Sequence, residues 1–520
     1  MKQVLFLFVF ICLASGQLVG QAAQTARFER EQKNSDSDYL LISLQQEGLA
    51  LVRDINKYKE GKQQWEVIRL DTALQEAWLI DLYIESRMRL VGYDYRDHQI
   101  YLLFREGDHE ASKLALYTIH TQSQVVGHYT INQEITFKIT HFSALANVIT
   151  LGGYVSNEPA ILLFDLETEK TKLVPGFFIT NSELLDLRVN TNNTFNALII
   201  DRSNKQNKKL LFKTFDVTGA ILLEDEMEIE NNRTILSGIT STLVNDELLV
   251  AGTWTVGNSK QTSGIFTVLI DPFRNQPVNY YDFGRFTHFL DYLSNKRAAK
   301  IKTRSAEALS LGKLPEYKTY AIPMRLDEQA EGFGFLVEVY QPSANFSPYP
   351  YYGNFGPPMY GYYPYYGYNP FMNRYYNAPY QYNQPASGDT KMLHAALIVL
   401  DRNGKPTHDY GLKFQELKTA TLEQTSDFIF YKGEVALAFK KEKEVRVLRS
   451  SGEETELDTL ASIPINPTET VRSESEGASY IRSWYQNAFY TWGYQTLRNT
   501  NKGSLEASRR VFYINKIEIN

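Results

Sequence analysis

AALIVLDRNGKPTHDY, residues Ala395–Tyr410, sets an apolar run against an Asp, a tight turn and a second short strand. Asn403-Gly404 supplies the turn, because glycine takes a positive φ without steric cost. The apolar run is too short for a stable helix, and its Val, Ile and Leu suit a buried strand. The same unit recurs as ILLFDLETEKTKLV (Ile161–Val174), LLFKTFDVTGAILLE (Leu210–Glu224), GIFTVLIDPFRNQPV (Gly264–Val278) and VRVLRSSGEETEL (Val445–Leu457). KLALYTIHTQSQVVG (Lys113–Gly127) is a looser copy. The period is about 40–50 residues, with about four strands in each. A β-propeller has this period: one blade cannot bury both of its faces, so blades stack on one another. The chain therefore reads as all-β, a β-propeller of seven or eight blades over residues 38–520. An array of two-sheet sandwiches is the architectural alternative. Closure is expected between a strand near Tyr39–Leu44 and the C-terminal strand Val511–Ile519.

Two segments break the strand rhythm. Phe286–Leu309 (FTHFLDYLSNKRAAKIKTRSAEAL) places Phe286, Phe289, Leu290, Leu293 and Ile301 near one helical face. Lys296, Arg297, Lys300, Lys302 and Arg304 fall largely off it. With Thr287 as cap and Gly312 as terminator, this predicts a surface helix inside an insertion spanning 284–312, docked by its apolar stripe. Its basic face is either simply solvated or a contact for an anionic glycan, lipid head group or partner.

The second segment is Gln341–Ala386, almost entirely Tyr, Pro, Asn and Gly, with Arg374 as its only charge. Prolines every few residues forbid helix and regular sheet. Strand-like GFLVEVY (Gly334–Tyr340) enters it and LHAALIVL (Leu393–Leu400) leaves it. It reads as a long disordered loop, about 341–390, inserted between two strands that would otherwise pair directly. As a binding arm, its stacking residues would be Tyr351, Tyr352, Tyr362, Tyr363, Tyr365 and Tyr366. The alternative is a tolerated loop expansion, since lengthening a loop costs little entropy.

The N-terminus carries Met1-Lys2, the apolar run Val4–Leu13 and small residues at Ala14-Ser15-Gly16. This is the pattern of a secretory signal peptide, residues 1–16, with cleavage expected after Gly16. A span would need about 20 apolar residues. Residues 17–37 read as a flexible leader. The single cysteine, Cys12, lies within the signal, so the mature chain is expected to lack disulfides and cysteine-based metal or nucleophile chemistry. The expected address is exported, either periplasm or cell surface.

The formal net charge of −6 on 520 residues argues against nucleic acid, which needs clustered Lys and Arg. There is no G-x-S-x-G, and His109-Glu110 lacks the second histidine of H-E-x-x-H because Lys113 stands there. Asp401-Arg402-Asn403-Gly404 opens like a calcium loop, but no terminal bidentate acid follows and Pro406 intervenes. The scattered histidines form no metal pattern. No cofactor, metal or catalytic residue is assigned. In Ser479–Asn520, Trp484, Tyr490 and Trp492 read as blade core, with an exposed aromatic platform for sugar rings as the alternative.

Glu338-Val339-Tyr340-Gln341-Pro342, then an irregular insertion, then His394-Ala395 and the strand and turn Leu397–Gly404, resembles a group of secreted, β-propeller-like proteins of Bacteroidota. Phe286, Phe289, Leu290 and Tyr292, with the basic continuation, add to that likeness over about Gly264–Lys440. Leu393 departs from the hydroxyl residue expected there, and the Tyr-rich tract is longer. The resemblance implies export and a strand-rich body, and no reaction. Together these readings favour an exported, non-catalytic binding or scaffold protein of the bacterial envelope, recognising a protein or glycan through propeller-face loops. The alternative is a propeller-type glycan hydrolase or lyase using carboxylates from separate blades.

Overall fold

A computed structural model describes residues 22–33, 36–107, 113–132, 135–177, 179–204, 206–243, 248–271, 277–342, 390–419, 422, 424–451, 454–475, 480–500 and 508–520. Residues 1–16, expected to be a signal peptide, and nearly all of the Tyr-rich tract lie outside them. After β1 (Ala22–Glu31), blade 1 holds β2 (Leu40–Ser43), β3 (Leu49–Lys59), β4 (Lys62–Leu70) and β5 (Glu76–Glu85). Blade 2 holds β6 (Met88–Arg96), β7 (Gln99–Glu106), β8 (Leu114–His120) and β9 (Val126–Ile131). Blade 3 holds β10 (Lys138–Leu145), β11 (Val148–Val155), β12 (Glu158–Asp165) and β13 (Lys170–Leu173). Blade 4 holds β14 (Ser182–Val189), β15 (Thr194–Asp201), β16 (Lys209–Asp216) and β17 (Ile221–Glu228). Blade 5 holds β18 (Arg233–Thr240), β19 (Leu248–Val256), β20 (Gly264–Ile270) and β21 (Asn279–Asp282). The helix α1 (Asn295–Ser310) follows. Blade 6 holds β22 (Tyr320–Gln329), β23 (Gly332–Gln341), β24 (Thr390–Leu400) and β25 (Pro406–Thr419). Blade 7 holds β26 (Ser426–Tyr431), β27 (Glu434–Lys441), β28 (Glu444–Ser451) and β29 (Glu454–Ala461). Blade 8 joins β30 (Glu469–Glu474), β31 (Tyr480–Ser483), β32 (Ala488–Asn499) and β33 (Ser508–Ile519) to β1.

The fold is an eight-bladed β-propeller, as the repeat implied. Blades 1 to 6 form one compact unit, and blades 7 and 8 with β1 form another. Apolar clusters sit between consecutive blades, for example Trp65, Val67 and Leu82 against Leu90, Leu102 and Phe104 for blades 1 and 2. The middle strands are buried on both faces, which is why β7 and β12 read as apolar runs and not as alternation.

The quoted sequence unit is the hairpin of the third and fourth strands, and it recurs in blades 2 to 7. Its Asp holds the turn by accepting backbone N–H groups. Asp401 Oδ1 accepts from Asn403 at 2.9 Å and Lys405 at 2.8 Å. Asp216 Oδ1 accepts from Thr218 at 2.8 Å and Ala220 at 2.9 Å, and Asp165 does the same for Glu167 and Thr168. These are Asx turns. Gly404 has φ 73°, and an added Cβ would lie 2.7 Å from Leu249 Cδ1, so this turn requires glycine twice over.

A second repeat has no sequence signature. The first strands β6, β10, β14, β18 and β22 each carry a bulge against their neighbour, at Leu90/Gly92, Ile139/His141, Leu184/Asp186, Ile235/Ser237 and Pro323/Arg325. A bulge increases local twist and re-aims the side chains that follow it.

Three expectations need correction. Residues 17–37 are not wholly a flexible leader: Ala22–Glu31 is β1, paired antiparallel with β33 from Ala22↔Ile519 to Glu31↔Val511. The expected partner, Tyr39–Leu44, instead supplies β2 of blade 1. The reason is chemical. Besides Ala22, the side chains that β1 buries are Arg27 and Glu29, 3% and 4% exposed, so hydropathy misses the strand. The predicted helix over 286–309 is shorter, beginning at Asn295. Phe286, Phe289 and Leu290 are buried in the loop before it, where Phe283 and Phe289 stack at 3.9 Å.

Blade 8 is tied to β1 by a buried polar network. Lys440 of β27 pairs with Glu474 of β30, and each side chain is 1% exposed. Tyr513 of β33 donates to Glu474 Oε1 at 2.6 Å, and Gln495 of β32 to Oε2 at 3.1 Å. Arg27 continues the network to Gln495 at 2.8 Å, Asn515 at 2.8 Å and Glu29 at 2.6 Å. Arg509 grips Glu29 and, through two bonds, Glu469. Burial lowers the Lys440 ammonium from its usual value, with Glu474 opposing. Removing one partner leaves a buried charge uncompensated. Lys440→Met is expected to cost about 3 kcal/mol in urea unfolding, and the double variant Lys440→Met/Glu474→Leu less than that.

The Tyr-rich tract joins β23 and β24, which pair directly up to Gln341↔Lys391. Replacing residues 343–389 by an Asn-Gly turn is therefore expected to leave blade 6 folded. Stability should rise by about 2 kcal/mol at most, the loop-closure gain, as read by thermal unfolding.

Candidate functional site

α1 is docked by polar contacts. Its buried residue is Ser305, whose hydroxyl donates to Asp282 Oδ1 at 2.8 Å. Tyr317 donates to the same oxygen at 2.5 Å, and Gly284 N–H at 2.9 Å. The apolar-stripe docking expected for this helix is thus replaced: Ile301 is half-buried, and Leu309 is 47% exposed. Thr287 is not the cap. Its N–H and that of His288 donate to Asp409 of β25 at 2.8 and 2.6 Å, and its carbonyl accepts from Lys302 at 2.8 Å. Gly312, φ 68°, ends the helix as expected, with Lys313 N–H on Ala308 O and Gly312 N–H on Leu309 O. These are the two bonds of a Schellman motif.

Lys296, Arg297, Lys300 and Arg304 are all exposed, and Lys302 is half-buried against Thr287. At 3.6 residues per turn the four exposed cations fall within an arc of about 100°, away from Ser305. Among the described residues, none of the four makes an ion pair. Helix stability would not place them there. The first turn holds no acid, and Ser294 makes no side-chain cap bond. Positive charge at a helix N-terminus opposes the macrodipole, and like charges four apart repel by a few tenths of a kcal/mol per pair.

The carboxylates of the first strands are otherwise engaged. Asp94 of β6 accepts from Ala144 N–H in β10 and from Tyr95 N–H, both at 2.8 Å. Asp186 of β14 accepts from the N–H and hydroxyl of Thr240 in β18, at 2.6 and 2.7 Å. Asp427 of β26 accepts from Ser483 N–H in β31 at 2.8 Å. Each bridges one blade to the next. Burial pushes Asp94 up to about 7 despite these donors.

In blade 8, Trp484 and Tyr490 are buried as expected, while Trp492 is half-buried and stacks on Tyr490 at 5.3 Å. Tyr351, Tyr352, Tyr362, Tyr363, Tyr365 and Tyr366 lie outside the described residues, as does His109. Among the described residues, no cluster of three or more His, Cys, Asp or Glu is arranged to hold a metal, and no helix is long and apolar enough to cross a membrane.

No family model matches the chain, and no curated protein sequence does. Solved structures resemble it at low identity. The polysaccharide lyase Uly1 matches at 7% identity and TM-score 0.39, over 93% of this chain and 100% of that one. The β-propeller domain of the Trilobed protease from Pyrococcus furiosus matches at 9% and 0.34, over 80% and 96%. The Dos1 propeller matches at 10% and 0.38, over 83% and 93%.

Among the described residues, two histidines are buried, His394 completely and His141 at 8% exposure. His394 of β24 has neither ring nitrogen hydrogen-bonded with good geometry, and in His141 of β10 only Nδ1 is engaged, by Thr140 at 2.8 Å. Burial depresses each to about 4. The unfolded chain then binds more protons than the folded one between about pH 6.5 and 4. Each histidine therefore contributes stability that is present above pH 6.5 and lost as pH falls to 4. His394→Leu is expected to recover about 3 kcal/mol of the loss between pH 7 and pH 4, measured by urea unfolding at both.

Proposed function

We propose that this protein is an exported, non-catalytic β-propeller of the bacterial envelope that binds an anionic glycan through the exposed face of α1. One observation carries the reading. Four cations without an ion pair among the described residues share one arc of a helix whose own stability they oppose, in a chain of net charge −6. A polyanion would relieve their mutual repulsion and satisfy the N-terminal dipole together. The helix is held by Asp282, Ser305 and Tyr317 rather than by an apolar core, so it is displayed on the blade surface and not consumed by packing. The Tyr/Pro-rich insert at the β23–β24 hairpin would add weak stacking contacts to the same partner.

The hydrolase or lyase reading needs two or three carboxylates free to converge on a substrate. Asp94, Asp186 and Asp427 hold backbone N–H groups of neighbouring blades instead, which favours binding over paired-carboxylate chemistry.

The test is retention of the purified mature chain on immobilised polyuronate and on a neutral polysaccharide. The wild type is expected to bind the polyuronate and to elute at about 0.5 M salt, where the Debye length falls below about 5 Å. The variant carrying Lys296→Gln, Arg297→Gln, Lys300→Gln and Arg304→Gln should pass through with an unchanged or raised unfolding midpoint. Equal retention of variant and wild type would refute the reading, and release of unsaturated or reducing ends would establish the enzyme.

A further inference from the structure

Three turns of blades 1 and 2 meet at one carboxylate. Glu47 lies in the single-turn 3-10 helix Gln45–Glu47, between β2 and β3. His98 lies in the turn between β6 and β7, and Thr121 and Gln122 in the turn between β8 and β9. The junction is clamped. Arg69 donates to Glu47 O at 3.2 Å and to Thr121 O at 3.3 Å, and Trp78 Nε1 donates to Thr121 O at 2.8 Å. Asp97 and His98 both take left-handed φ, 48° and 64°, which costs free energy in non-glycine residues.

The proton positions follow from the partners. Glu47 receives the Thr121 hydroxyl, Gln122 Nε2 at 3.1 Å and His98 Nδ1, with the Tyr95 hydroxyl alongside. Burial alone would raise the carboxyl, but these donors hold it at about 2, so it is an anion. A carboxylate only accepts, so the neutral His98 ring carries its proton on Nδ1 toward Glu47 and presents Nε2 as an acceptor; Gln122 Nε2, 3.4 Å from the same Nδ1, makes its shorter bond to Glu47. His120 is set the other way. Its Nδ1 accepts from the N–H groups of Gln122 at 3.3 Å and Ser123 at 3.2 Å, leaving Nε2 as the donor. The two rings lie 6.3 Å apart, and the His98 side chain is 54% exposed. Gln122 and Ser123 are exposed beside them, and Val125, 64% exposed, follows in the same turn.

We infer that Glu47, His98 and His120 form a second binding site, which takes the hydroxyl groups of a neutral carbohydrate. The charge of Glu47 is met by its donors, and the Arg69 guanidinium bonds backbone carbonyls. The exposed Asp97 carboxylate in the turn of His98 is paired with Arg96 at 3.5 Å. Beside it stand the two imidazoles, the Gln122 amide and the Ser123 hydroxyl, with Val125 and Val126 as exposed apolar side chains for a sugar C–H face. That set matches hydroxyls, which both donate and accept, better than it matches a carboxylate or an ammonium. His98 and His120 contact the ligand, while Glu47 is a positioning residue that fixes the His98 tautomer. The same tautomers make His120 a poor metal ligand, since Nε2 already holds its proton. The site is independent of α1.

The test uses the full mature chain with histidine labelled in nitrogen-15. Long-range spectra should show the proton on Nδ1 of His98 and on Nε2 of His120, and the opposite tautomer at either would sink the proposal. Cellohexaose, mannohexaose and a polyuronate hexasaccharide are then titrated to about 10 mM, the range of a few hydrogen bonds. A neutral hexasaccharide is expected to shift both Nε2 resonances. His98→Phe and Glu47→Gln should each weaken it by about tenfold, with the unfolding midpoint reported beside. The fourfold α1 variant should bind as the wild type does. No shift with either neutral sugar, equal shifts with the polyuronate, or unchanged affinity in both variants overturns it.

Discussion

Lys440 and Glu474 are two opposite charges removed almost completely from water, and the last blade is arranged around them. An ion pair buried to this degree recovers its desolvation cost only when every remaining lone pair and proton is satisfied. Tyr513 and Gln495 bond Glu474 directly, and Arg27 extends the network from Gln495 to Asn515 and Glu29; between them these residues sit on β33, β32 and β1. The network therefore specifies more than it stabilises. It selects Ala22–Glu31 as the outer strand of blade 8, in one register, from a segment with little apolar content. A strand whose inward contacts are ionic has no slack for slippage, because a one-residue shift would aim Arg27 and Glu29 at the opposite face.

The other blades rely on a different balance. In the first unit, blades 1 to 5 pack on one another through clusters of Leu, Ile, Val and Phe. Such contacts do not by themselves fix how one blade is set against its neighbour, since hydrophobic burial is non-directional. Asp94 and Asp186, and Asp427 in the second unit, add direction by binding one specific N–H of the following blade. The strands of Asp94 and Asp186 carry a bulge at or just before the carboxylate, which increases local twist there. Carboxylates that might suggest acid–base chemistry are thus part of the frame, and the surface features that suggest binding lie elsewhere, on α1 and at the turns around Glu47.

Much of the architecture was legible in sequence. The strand-turn-strand unit of AALIVLDRNGKPTHDY marks the third and fourth strands of blades 2 to 7, with the Asp itself present in blades 3 to 6, and the hairpin placement of the Tyr-rich insertion followed from the strands on either side. The helix was legible in kind but not in extent. Phe286, Phe289 and Leu290 have helical spacing, yet they pack as a loop whose N–H groups are held by Asp409, more than a hundred residues away. The basic residues of α1 were identified by sequence, whereas their freedom from ion pairs depends on which acids the fold brings near. The Glu47, His98 and His120 cluster left no motif, because its members come from three separate turns.

Sequence alone determined what repeats locally: short apolar strands, Asp and Gly turns at a propeller period, and a chain with a single cysteine. These are properties of neighbouring residues, governed by propensity and by what a turn of few residues can do. Tertiary structure decided the blade count, the partner of β33, the start of α1 and the proton positions on His98 and His120. Each depends on groups far apart in the chain, where burial, charge pairing and backbone donors select one arrangement among several that the local sequence permits equally.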